Sequence, residues 1–153
     1  MHRLIPLLLS TSESPGWVLY VLNGRLAYSY NWFSSEVYTV TAPDPLPIGE
    51  VEVQYQFDFD GGHPGAGGTG TLLVNGEVVV DGRIEKIVPL VFSGDETMDI
   101  GRDTASPVVD DYGEGSENVF TGKIAWVQID IEDDEVSHTE DPEQTYRRIM
   151  ARQ

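Results

Sequence analysis

The chain has 153 residues, enough for one domain with a sizeable core, and 40% of them are hydrophobic. Acidic residues outnumber basic ones 26 to 9, giving a net charge of -17; that sign repels phosphate backbones and anionic bilayers, so neither nucleic acid nor membrane is expected as a partner, while cations, basic proteins and neutral sugars stay open. There is no cysteine, which excludes disulfides, thiolate metal sites and a cysteine nucleophile.

The apolar run 4–9 is short, contains Pro6 and precedes no small-residue cleavage site, so it reads as a terminal strand and not as a targeting signal. Residues 17–22, Trp-Val-Leu-Tyr-Val-Leu, are apolar throughout, which suits a strand covered on both faces. Asn23-Gly24 follows and predicts a tight hairpin, because a type I′ turn needs positive φ at both central residues. The return strand, 25–31, puts Leu26, Tyr28, Tyr30 and Trp32 on one side and Ala27, Ser29 and Asn31 on the other.

A third strand is expected at 36–41. Prolines at 43, 45 and 47 then predict a loop over 42–49. From Glu50 to Phe59 apolar and polar residues alternate without a break, the pattern of a strand with one wet and one dry face. Residues 60–68 read as a glycine-rich loop. A second Asn-Gly hairpin about Asn75-Gly76 joins strands at 69–74 and 77–81. Further strands are expected at 83–92, 96–101 and 121–131, with a long ordered loop from 102 to 118. Residues 132–140 form an acidic linker. Asp141 and Pro142 open a short C-terminal helix that carries Tyr146, Ile149 and Met150 as its apolar stripe. The domain plan is therefore a sandwich over 1–131, with an unusual first strand at 1–15, followed by linker and helix at 132–153.

The pieces Gly16-Trp17-Val18-Leu19-Tyr20, Asn23-Gly24-Arg25-Leu26 and Tyr28-Ser29-Tyr30-Asn31-Trp32-Phe33 resemble the opening of the accessory domain at the C-terminus of bacterial arylsulfatases. Phe57-Asp58-Phe59-Asp60-Gly61-Gly62, Gly67-Gly68-Thr69-Gly70-Thr71-Leu72, Asp99-Ile100-Gly101-Arg102-Asp103-Thr104 and Phe120-Thr121-Gly122-Lys123-Ile124 extend the resemblance over roughly 16–131. It implies an all-β, antiparallel, concanavalin A-like or LamG-like jelly roll that is an appendage of a larger enzyme. Sulfatase catalysis needs a Cys/Ser-x-Pro-x-Arg motif, and no serine here begins one. The expectation is a non-catalytic interaction or structural module that forms a homo-oligomer or docks on a protein partner, in the bacterial cytoplasm. The alternative is a lectin-like carbohydrate binder, with or without calcium.

Two candidate sites follow. Asp103, Asp110 and Asp111 supply the carboxylate oxygens that calcium takes, and calcium orders rim loops in similar sandwiches; the competing reading has Arg102 pairing a carboxylate to lock the same loop. Tyr28, Tyr30 and Trp32 form an aromatic stripe that either stacks on sugar rings or fills the core. Asp58 and Asp60 carry a weaker metal reading, against glycines that merely serve a tight loop. Trp17 and Trp126 are expected in the core. No further cofactor is implied.

Overall fold

The computed structural model describes residues 16–88, 99–102, 107–112 and 118–130. Six strands lie in one compact unit, Met1–Lys123; Ile124–Gln153 form a second. The strands are β1 (Gly16–Leu22), β2 (Arg25–Trp32), β3 (Glu36–Pro45), β4 (Val53–Phe59), β5 (Ala66–Val74) and β6 (Glu77–Lys86), followed by a single 3-10 turn at Asp110–Tyr112. They make two antiparallel three-stranded sheets, ordered β1-β2-β3 and β4-β5-β6. The fold is all-β. Among the described residues no helix is long and apolar enough to cross a membrane. The expected helix after Asp141 and the strand at 1–15 lie outside the described residues.

Both Asn-Gly pairs sit in the hairpin turns the sequence predicts. Asn23 and Gly24 have φ of 53° and 79°, and Asn75 and Gly76 have 51° and 80°. The β2–β3 turn is different, because Phe33 and Ser34 take φ of 50° and 55° without a glycine. Such φ values are costly for these residues. Local bonds hold the turn: the Ser34 amide donates to Asn31 Oδ1 at 2.7 Å, and the Ser35 amide to the Trp32 carbonyl at 3.1 Å.

Strand register sorts the side chains. Trp17, Leu19 and Val21 share a face with Leu26, Tyr28 and Tyr30, and with Tyr38 and Val40. This face joins Leu72 and Ile84 of the other sheet in one apolar cluster. Leu72 and Ile84 are essentially inaccessible to solvent, and burying each such side chain is worth about 1.5–3 kcal/mol. The Tyr28 and Tyr55 rings stack across the two sheets, 3.6 Å between centroids and 8° from parallel.

Several strand boundaries differ from the sequence reading; β4, expected from Glu50, starts at Val53. β3 runs on through Pro43 to Pro45, because it is an outer strand and a bulge absorbs the residues between Thr41 and Pro45. Proline is tolerated at such places. β5 starts at Ala66, inside the expected glycine loop: the Phe57 and Tyr55 rings of β4 lie where Cβ atoms of Gly68 and Gly70 would stand. The two expected strands 77–81 and 83–92 are continuous as β6 to Lys86. Gly82 leaves room for Val40 of β3, whose Cγ2 would be 2.6 Å from an added Cβ. A bulge at Val79 lets the neighbouring Val79 and Val80 both pack on the core. Residues 121–130, expected as a strand, form no ladder, and Trp126 is 63% exposed where core burial was expected.

Candidate functional site

The face of β1–β2–β3 turned away from β4–β5–β6 carries Val18, Tyr20 and Leu22, then Ala27, Ser29 and Asn31, then Thr39 and Thr41. Residues 107–112 lie over it. Val108 and Tyr112 pack with Val18, Tyr20 and Ala27 in a second buried cluster. The cover is fixed by side chains rather than by a ladder. Asn31 Nδ2 donates to the Val108 carbonyl at 2.9 Å, and the Val108 amide donates to Tyr112 Oη at 2.8 Å. Both polar backbone groups of a buried residue are thereby satisfied.

Tyr20 is the pivot of this region. Its hydroxyl donates to Asp111 Oδ2 at 3.1 Å and lies 3.2 Å from Ser29 Oγ, which in turn is 2.8 Å from Thr39 Oγ1. Burial, helped by the Asp111 charge, pushes the Tyr20 phenol up to about 12. It is a neutral donor across the physiological range.

Beside this network an open cleft of about 440 Å³ lies between the β1–β2 turn and β3. Leu22, Ala27 and Pro45 give it apolar walls, and Tyr20, Asn23, Arg25, Thr41 and Asp111 give it polar ones. The arrangement offers a cation, a carboxylate, an amide and hydroxyls to a small polar ligand.

Two of the three predicted calcium residues fall within the described residues. Asp111 reaches the cleft and accepts from Tyr20; Asp110 is its exposed neighbour on the 3-10 turn; Asp103 lies outside the described residues. Among the described residues no three His, Cys, Asp or Glu side chains come together as a metal set. Arg102 is exposed and forms no ion pair among the described residues. A different loop, the turn after Asp60, is pinned by Arg83. Its guanidinium grips both carboxylate oxygens of Asp60 and stands 3.6 Å from Glu85, and it holds the Asp60 carboxyl below the usual range. Gly61, Gly62 and Gly65 all take positive φ in the turn that Asp60 closes.

Of the two readings of the aromatic stripe, burial between the sheets agrees with the core reading for Tyr28 and Tyr30. Tyr28 and Tyr30 are 6% and 5% exposed between the sheets, so neither offers a face to a sugar. The Tyr28 ring is stacked on Tyr55 and packs 6.1 Å from Trp17, and Tyr30 Oη accepts from the Val88 amide. Trp32 is half-buried, with the Lys86 ammonium 3.9 Å above its ring. The reason is the energy of burying large aromatic area, which draws the stripe inward. The cleft was missed in the sequence. Its polar lining near the first turn comes from Asn23, Arg25 and Thr41, to which the sequence reading assigns no site role. No protein-family model, curated protein or solved structure matches the chain.

Proposed function

We propose that this chain is a non-catalytic interaction or structural module, a concanavalin-like jelly roll similar to a detached arylsulfatase C-terminal domain, that self-associates or docks on a protein partner. The observation that carries the reading is the distribution of apolar surface. The strands close one shared core, yet Val37 and Val78 on outer strands are 49% and 62% exposed, and Phe33 and Phe59 are 49% and 40% exposed. Large apolar groups on outer strands mark contact surfaces. Three groups with shifted titration have structural partners: Arg83 on Asp60, Lys86 on Glu36, Asp111 on Tyr20. Light scattering on the full chain over a wide concentration range is expected to show a mass rising above that of one chain. A single-chain mass at every concentration argues against self-association.

The cleft favours a second reading, a lectin-like module that binds a neutral or zwitterionic sugar through Arg25, Asn23, Thr41 and Asp111. A glycan array run with and without millimolar calcium tests it. Hits lost in Asp111→Asn support it, and a blank array in both conditions removes it.

A further inference from the structure

We infer that the free edge of β4 is a self-pairing surface, through which two copies of this chain join their β4–β5–β6 sheets into one antiparallel sheet; the inference rests on the interaction-module reading and names its partner as a second copy. Among the described residues β4 pairs with β5 on one side only and is an outer strand of its sheet. Backbone direction follows from two bonds at its ends. The Asp60 amide donates to the Gly67 carbonyl, and the Asn75 amide donates to the Glu52 carbonyl, so even-numbered residues point their amides and carbonyls at β5. The amides and carbonyls of Val53, Tyr55, Phe57 and Phe59 therefore face outward along the edge.

Outer strands usually carry a device against pairing. The other three have one or lack the means to pair. β3 has Pro43, Pro45 and a bulge. β6 has a bulge and the charges of Glu77, Asp81, Arg83, Glu85 and Lys86. β1 is buried along almost its whole length, so it presents little open edge to a second chain. β4 has no proline, no lysine and no bulge, and its one charge is Asp58. Its core-side residues are also incompletely covered: Val53, Tyr55 and Phe57 are half-buried and Phe59 is 40% exposed.

The strand is complementary to itself. About a two-fold axis through Gln56, the outward-facing backbone groups pair Val53 with Phe59 of the second copy and Tyr55 with its Phe57. All of these lie on the core side. On the wet side Gln54 meets Asp58 and Gln56 meets Gln56, so the carboxylates stay apart. An isologous contact has this form. With each chain at -17, overall repulsion opposes the pair, so added salt tightens it.

Sedimentation equilibrium of the full chain, with Gln56→Lys and Gln54→Lys, tests the register. Both residues are exposed on the same face, and both substitutions add the same charge to the chain. In the dimer Gln56→Lys sets two ammonium groups opposite each other and should weaken association roughly fivefold, whereas Gln54→Lys faces Asp58 and should tighten it by a similar factor. Circular dichroism checks that both variants keep the fold. Opposite shifts establish the β4 edge. Equal shifts in both variants overturn it and leave an oligomer built elsewhere, with the interaction reading intact. A wild-type monomer at every concentration and salt overturns the β4 pairing together with self-association.

Discussion

The two sheets solve the same problem differently. β4–β5–β6 buries one face and leaves Gln54, Gln56, Asp58, Thr69 and Arg83 on the other, partly or fully in water. β1 and β2 are covered on both: one face meets the second sheet, and the other carries residues 107–112, while Val37, Thr39 and Thr41 of β3 stay exposed on that outer face. The difference explains why β1 is apolar at every position while β4 alternates. It also shows that a cover need not be a sheet or a helix. Among the described residues 107–112 do this, with both backbone groups of Val108 held by side chains.

The largest way to break this comparison is at the surface both sheets share. Leu72→Ala opens a cavity between them and is expected to cost about 2–5 kcal/mol in denaturant unfolding. Next is the cover alone. Tyr112→Phe strands the buried Val108 amide and should cost about 1–3 kcal/mol. Its hydrogen-exchange signature belongs on β1 and β2 rather than on β4–β6. A cost spread evenly over both sheets would show that the cover is not a local element.

A smaller effect is read in alkali. The Tyr20 phenol is raised from its ordinary 10 to about 12, so its contribution is intact below pH 10 and is lost as pH rises toward 12, where the unfolded phenol ionises first. Tyr38, raised to about 12 by burial and by its bond to Glu36, loses stability over the same window. Tyr20→Phe should therefore flatten the stability profile between pH 10 and 12 without abolishing its slope. An unchanged slope contradicts the Tyr20 assignment. The smallest effect lies on the wet face. The Asp60 carboxyl is lowered by Arg83, so that pair stabilises above the ordinary carboxylate range and is lost as pH falls through it. Both partners are exposed, so Arg83→Met should shift unfolding only slightly and only above that range.

Much of this framework is legible in the sequence. The Asn-Gly turns declare themselves because few other pairs accept positive φ twice, and the alternation from Glu50 to Phe59 fixes the face of β4. The unbroken run from Trp17 to Leu22 announces a strand covered on both sides but not by what. The boundaries that escaped depend on neighbours distant in the chain. Pro43 is harmless because nothing asks for its amide in a bulge. Gly68 and Gly70 belong to a strand because rings from β4 cover them, and Gly82 continues one because Val40 needs the space. Phe33 and Ser34 give no turn signal at all, since their φ values are held by Asn31 and by the strands they join. For the site, Asp111 was legible as a rim carboxylate. Its partner Tyr20, 91 residues away, was not.

The stacked pair of Tyr28 and Tyr55 has an optical consequence. One ring comes from each sheet, and Trp17 lies 6.1 Å beyond the first. Light absorbed by Tyr55 is close enough to pass through Tyr28 to the indole, so these phenols are dark in tyrosine emission while the sheets are closed. When the sheets part with each hairpin intact, the emission of Tyr55 returns while Tyr28 stays quenched beside Trp17 of its own hairpin. The molecule thus carries its own lamp for the closing of the core, separable from the loss of its strands.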